Sequence, residues 1–432
     1  MRAITLYQYA TWLIGPLLIG WLYWRALRGR DEAARLGEKR GQASVVRPKG
    51  DIVWVHAASV GETLSVLHLI SDILAGYQSV TILLTTGSRS SAKIAADYIA
   101  GQPNIQLIHQ FIPLDRRLWV NKFLDHWQPR LALFVESEIW PNVLTELAHR
   151  NIPTALVNGR LSLTSFRRWQ KIPTIAASLL AHFSLIMAQD DTTKARLHQL
   201  TDQPIHTPGH LKFDAPPLAA NAAQLAALRQ AIGQRTCWLA ASTHAGEEAM
   251  VANAHNALQS AFTDLLTLIA PRHPERGDAL ASQMRAMGLS VKQRSKGELP
   301  TANTEIYLAD TIGEMGLFFC VVNLVLVGGT LIAHGGQNPL EPARLDCAIL
   351  HGTSTDNFAE IFNGLDKSGG AMMIENDAAL APIVQTLLSD TMLRQQIAQQ
   401  ATDYAGNLRG ARQRILALLA PYLDTDFEAK NG

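Results

Sequence analysis

NLVLVGGTLIAHGGQNPLEP, residues 323–342, is the stretch from which the fold is read. Asn323–Val327 is a short continuous apolar run, the pattern of a parallel strand covered on both faces. Glycines follow, and Pro339, Glu341 and Pro342 then suit the first turn of a helix. Strand, glycine loop and helix start in that order can cradle a phosphate, because glycine lets the backbone approach and free N–H groups attract an anion. A carboxylate just inside such a helix can accept hydrogen bonds from ribose hydroxyls. The stretch is neither GxGxxG nor GxxxxGK(S/T), which disfavours a dinucleotide cofactor and a triphosphate P-loop. Taken alone, it also fits an ordinary strand–turn–helix junction.

Working outward, the same kind of run recurs along the chain. Ile52–His56, Val80–Thr86, Ile105–Phe111, Leu131–Val135, Thr154–Asn158 and Ser184–Gln189 read as one series of strands separated by helical stretches. Thr207–Pro217, rich in Pro and Gly, reads as a linker. Thr236–Ser242, Leu265–Pro271, Thr304–Asp310, Asn323–Gly329 and Cys347–Gly352 make a second series. The fold class is α/β: two doubly wound, Rossmann-like domains, expected to enclose a ligand between the carboxyl ends of their sheets. The boundaries fall at 51–212 and 213–432.

Composition fits this reading. With 47% hydrophobic and 17% charged residues, the chain can bury a large core and is not a disordered one. Three cysteines without a CxxC pair argue against a disulfide framework or zinc site and fit a reducing compartment. The net charge of +1 conceals a local excess: between Arg25 and Lys49 eight Lys/Arg face three acids. A basic segment so confined points to a membrane surface rather than to nucleic acid. Before it, 22 positions from Ala3 to Trp24 carry no charge; as one helix they would span about 33 Å. Trp21, Tyr23 and Trp24 would form an interfacial belt, and the following Arg/Lys excess would keep the rest of the chain cytoplasmic. Residues 1–25 are therefore expected to be a membrane-anchor helix and 26–50 a basic juxtamembrane segment, with Gln8, Thr11 and Pro16 leaving an interfacial helix open.

The chemistry-bearing residues sit in loops after strands. In ASVGETL, Glu62 falls at a helix start, where the dipole favours the ionised form needed by a general base; a capping role explains it equally well. FVESEIWPN places Glu136 and Glu138 two apart, pointing the same way if extended. NGRLS offers Arg160, and GHLKFD sets Lys212 between two apolar neighbours. In the second series ASTHAGEE brings Ser242 and Thr243, PRHPER brings Arg272 and His273, and DTIGEMG brings Gly313, Glu314 and Met315. Arginine's planar fork suits phosphate. Together these loops suggest transfer from a nucleotide-activated donor, held by the C-terminal domain, to an acceptor on the N-terminal one.

The combined pattern ASVGET, ESEIWPN, NGRLS, LKFD, STHAGEE, PRHPER, GEM and GGQNPLEPA resembles the 3-deoxy-D-manno-octulosonic acid (Kdo) transferase family, of the GT-B glycosyltransferase fold, over essentially the whole chain. The resemblance implies inverting transfer of Kdo from CMP-Kdo to lipid A precursor at the cytoplasmic face of the inner membrane, with no cofactor, metal or nucleic acid. It implies Glu62 as general base, with Glu136 and Lys212 stabilising the transition state or donor. Arg272, His273, Gly313–Met315 and the Asn338, Pro339, Leu340, Glu341 segment would hold CMP, with Ser242 and Thr243 near the phosphate. A UDP-sugar transferase and a silent membrane-tethered nucleotide-binding scaffold are the competing readings. Two positions depart from the family: LLTTGSRSSA (Leu83–Ala92) is shorter than the TTxTPTGS-like segment of some members, and Gln337 stands where many have histidine.

Overall fold

The computed structural model describes residues 2–102, 104–214 and 217–424. These form two compact units: residues up to 214 together with those from Gly410 onward, and residues 217 to Arg409. Ala215 and Pro216 of the expected linker, and the expected domain's last residues, 425–432, lie outside the described residues.

The first unit is built on seven strands: β1 (Asp51–His56), β2 (Val80–Thr86), β3 (Leu107–Phe111), β4 (Leu131–Val135), β5 (Thr154–Gly159), β6 (Leu185–Ala188) and β7 (Ile205–His206). They pair in parallel in the order β3-β2-β1-β4-β5-β6-β7. Period-two alternation sends Ile52 and Trp54 to one face, among Phe123, Phe134 and Leu144, and Val53 and Val55 to the other, among Leu69 and Ile73. Both faces are thus buried, which explains the continuous apolar runs.

The second unit repeats the plan with β8 (Cys237–Thr243), β9 (Leu266–Pro271), β10 (Val291–Gln293), β11 (Ile306–Leu308), β12 (Leu324–Val327), β13 (Ala348–His351) and β14 (Ala371–Met373), in the order β10-β11-β9-β8-β12-β13-β14. Trp238 and Ala240 enter one core, Leu239 and Ala241 the other. In each unit the sequence order reverses beside the first strand, and the loops at that switch point are where an open α/β sheet offers a ligand site.

Three expectations are corrected. The second domain does not run through to 432, because the helix Ala411–Leu423 packs in the first unit. Its Ile415, Leu419 and Leu423, spaced for one helix face, join the Val53/Val55 core. Asp214 accepts from Gly410 N (2.6 Å) and Arg412 N at its start, and Arg130 donates to Tyr422 O and Leu423 O at its end. Second, residues 1–25 do not form one helix. Arg2–Leu13 and Gly15–Leu27 are separate, since Pro16 in the first turn of the latter has no N–H to continue the ladder. No described helix is long and apolar enough to cross a membrane. The pair lies against the first unit through Tyr7 Oη–Asp115 Oδ2 (3.0 Å), Asn142 Nδ2–Thr11 Oγ1 (3.3 Å) and buried Leu22. Leu6, Trp12, Leu13, Leu17 and Leu27 stay exposed.

Third, the basic segment is not uniformly free. Lys39 is buried and, with Arg25, holds Asp31 (2.6 Å each), while Arg35 grips Glu38 with two 2.8 Å bonds. Glu38 also accepts from Phe111 N at the end of β3 (2.8 Å), so part of this segment staples the sheet edge.

Candidate active site

After β1 the chain turns at Ala58 and enters the helix Val60–Gly76. Ser59 caps it: its Oγ accepts from Glu62 N (3.3 Å) and donates to Glu62 Oε1 (2.7 Å). Glu62 Oε2 accepts from Ala58 N (2.7 Å). This S-x-x-E arrangement is a variant of the capping box in which the carboxylate reaches Ala58 N rather than Ser59 N, so the capping and base readings of Glu62 coexist in one geometry. The side chain is buried, and burial pushes its carboxyl up; the Ser59 and Ala58 hydrogen bonds oppose this, the charges of Glu138 and Glu136 add to it, and the net direction is upward. An ionised carboxylate with a raised pKa is a stronger base than an exposed one.

Glu136 follows β4 with φ +62°, a left-handed conformation rare for a residue with a Cβ. That turn corrects the expectation that Glu136 and Glu138 point together, which holds only for an extended segment. Glu136 Oε1 lies 3.6 Å from Lys212 Nζ, and a Cβ at Gly61 would meet that ammonium at 3.8 Å. Glu62, Glu136 and Lys212 are therefore gathered at one place. Glu138 turns to His56 Nε2 (3.5 Å) and Trp140 Nε1 (2.5 Å). Burial would raise Glu138, but His56 and Trp140 outweigh it and hold the carboxyl below its ordinary value.

In the second unit a cavity of about 250 Å³ opens at the ends of β8, β9 and β12. Ser242, Arg272, Met315, Asn338 and Glu341 line it, as does Gln337. Ser242 is left-handed (φ +57°), and its carbonyl lies so close to Gly328 that a Cβ there would sit at 2.4 Å. Asn338 Nδ2 donates to Glu341 Oε1 (3.1 Å). Burial raises the Glu341 carboxyl, while Asn338 and the charges of Arg344 and Arg272 counter it; the net shift is upward. A cation, an amide and a carboxylate in one cavity can divide phosphate and hydroxyl recognition among them.

The remaining sequence candidates do not line this cavity. Thr243 is fully buried and bonds Glu248 (3.1 Å). His273 is exposed, 3.3 Å from Glu275. Gly313 supplies a positive φ, and Glu314 is held by Arg294 through two bonds (3.0 and 2.6 Å), fixing the turn before Met315. Pro339 and Leu340 are buried at the one-turn helix Leu340–Ala343.

The opening loop itself is corrected. Its N–H groups are occupied from inside the protein: fully buried Glu247 accepts from Gly329 N (2.7 Å), Thr330 N (3.1 Å), Leu331 N (3.1 Å) and His244 N (2.9 Å). The glycine turn is shaped around this carboxylate, and the ligand-facing residues begin at Gln337. Gln337 Nε2 donates to His244 Nε2 (3.0 Å), a contact that the sequence reading missed. The Ser59–Glu62 box was legible as S-x-x-E, whereas nothing local marks Glu247 as buried.

A family model described as 3-Deoxy-D-manno-octulosonic-acid transferase (kdotransferase) matches residues 34–215. A 3-deoxy-D-manno-octulosonic acid transferase of Haemophilus influenzae is 34% identical over 417 residues, covering 95% of this chain and 96% of that protein. One of Bordetella pertussis is 32% identical, with 95% and 97% covered. Among solved structures, a glycosyltransferase from Rickettsia africae is similar in fold (TM-score 0.55, 11% identity), with 89% of this chain and all of that chain covered. UDP-GlcNAc 2-epimerase from Neisseria meningitidis is similar at TM-score 0.56 and 10% identity, with 86% and 100% covered. Both likenesses, of the GT-B type, concern the fold alone.

Proposed function

The chain belongs to the 3-deoxy-D-manno-octulosonic acid (Kdo) transferase family, glycosyltransferases of lipopolysaccharide biosynthesis, and from that membership we propose that it moves Kdo from CMP-Kdo to a hydroxyl of lipid A precursor with inversion, using Glu62 as general base. The observation that carries the proposal is the buried Glu62 carboxylate, doubly hydrogen-bonded and set beside the Glu136–Lys212 pair. Glu62 takes the acceptor proton as its oxygen attacks the anomeric carbon, and CMP departs with the bonding electrons. Lys212, held 3.6 Å from Glu136, offsets negative charge on the reacting groups. In the second unit Arg272 and Asn338 face the phosphate, Glu341 the ribose hydroxyls and Met315 the base. Ser242 lines the same cavity, while Thr243, His273, Gly313 and Glu314 support its loops.

The N-terminal helices favour attachment in the plane of the cytoplasmic leaflet of the inner membrane. Their outward Leu6, Trp12, Leu13 and Leu17 form an apolar surface, and Arg28 follows it.

Mass spectrometry of lipid A precursor incubated with the protein and CMP-Kdo tests the reaction. A mass gain of one or more Kdo units is expected. Transfer from UDP-sugars with none from CMP-Kdo would overturn the donor assignment.

A further inference from the structure

A second cavity, about 830 Å³, lies in the first unit between the end of the helix Gly15–Leu27 and the start of the helix Arg89–Ala100. Arg25, Arg30, Arg35, Arg89 and Lys93 line it against a single carboxylate, Glu32. Two of these cations are committed elsewhere: Arg25 to Asp31 (2.6 Å), and Arg35 to Glu38 (2.8 Å) and Glu32 (3.6 Å). None of the described ion pairs includes Arg30, Arg89 or Lys93. Arg89 Nη1 instead donates to Gly29 O, which ties the two walls together. Three uncompensated cations around one cavity repel one another and match an anion of high charge density.

The segment that forms one wall of the cavity, residues 88–93, is also tied to the loop that carries the proposed base. Gly87 N donates to Ala58 O (3.2 Å), Ser91 Oγ approaches the same carbonyl (3.5 Å), and Ala58 N donates to Glu62 Oε2 (2.7 Å). Two residues, Gly87 or Ser91 and then Ala58, thus connect the cationic wall to the base. On the cavity's other side, Arg25 lies in the last turn of a helix whose Leu17, Trp21 and Trp24 are exposed. A ligand with apolar chains and an anionic head would meet both surfaces at once.

We propose that this cavity binds a phosphomonoester on the sugar of the glycolipid acceptor, and so sets which hydroxyl reaches Glu62. The proposal rests on the acceptor reading given above. A phosphomonoester carries about −1.5 to −2 charges and three terminal oxygens, a better match to three cations without a carboxylate partner than the single charge of a phospholipid diester. Ser88, at the head of the second helix, adds a hydroxyl to the wall.

The test is binding of the acceptor glycolipid in non-ionic detergent micelles without donor, before and after phosphatase removes the monoester, to wild type and to Arg30→Ala/Lys93→Ala. Each loss, of the phosphate or of the two cations, is expected to weaken binding about tenfold, on the scale of charge-assisted contacts, and the two together by little more than either. In turnover the double variant is expected to raise the acceptor KM by a similar factor while kcat and the donor KM hold. Equal affinity of wild type for the two acceptor forms would overturn the proposal, as would a loss in the variant of the same factor on both. So would a defect seen only on vesicles of anionic phospholipid, which would assign the cations to bulk membrane. Phosphate-dependent binding without Kdo transfer would uphold the cavity and refute the reaction assigned above.

Discussion

Replacing Glu247 by Gln exchanges a single heavy atom and almost no volume, yet the structure implies a large effect. Oε1 accepts from Thr330 N and Leu331 N, and Oε2 from Gly329 N and His244 N. Whichever way the amide lies, its NH2 replaces one oxygen and turns a donor toward two buried donors. Each hydrogen bond to a charged group contributes about 1.5–3 kcal/mol, so losing two costs roughly 3 kcal/mol or more. For a domain of about 200 residues that lowers the melting temperature by roughly 6–12 °C. Calorimetry of the full chain would show the unfolding of the second unit moving down. The same loop leads to Gln337 and Asn338, so CMP affinity, read by titration calorimetry below the shifted transition, should fall as well. A melting temperature within about 2 °C of wild type, with CMP binding intact, would refute the claim that this carboxylate holds the glycine turn.

Glu62→Gln should leave CMP binding unchanged and cut transfer by about 10²–10⁴, the usual range for a lost general base; near wild-type turnover would reject Glu62. Because the Glu62 carboxyl is raised, the acid limb of the wild-type rate profile should lie above 4.5, activity being lost as pH falls and the base becomes protonated. Asp214→Ala should cost about 1–2 kcal/mol through loss of the helix cap, and hydrogen exchange should speed up selectively in residues 411–423; unchanged protection there would contradict the packing described. The Glu314 carboxyl is lowered by the Arg294 hydrogen bonds, burial opposing and Thr311 assisting. A depressed folded pKa gives stability that is full above the unfolded value and lost as pH falls through the folded one, so the Gly313–Met315 turn should loosen below about pH 4.5, seen as weaker CMP binding that Glu314→Gln reproduces at neutral pH.

Strands such as Ile52–His56 and Leu131–Val135 were legible because a strand buried on both faces must be apolar throughout. β7, β10 and β14 were not, being edge strands of two or three residues with mixed burial. Loops after strands were legible as ligand loops because the sheet's topology dictates them. What sequence could not disclose is which partner fills a loop. Nothing in the sequence distinguishes the adjacent Glu247 and Glu248, yet one occupies the glycine turn and the other holds Arg276 (2.8 Å). Likewise the direction of Glu136 depends on a single backbone angle, φ +62°, which no residue preference announces. The apolar spacing of Ile415, Leu419 and Leu423 was visible, but nothing in it said which core would receive them.

That last helix has a consequence for the order in which the protein is made. The second unit is one uninterrupted segment and can close its sheet as soon as it leaves the ribosome. The first unit, although synthesised earlier, must wait with its Val53/Val55 face partly uncovered until Ala411–Leu423 has been translated. The proposed base is thus carried by the half of the enzyme that is begun first and finished last, leaving a window in which a chaperone or the membrane surface can hold that face.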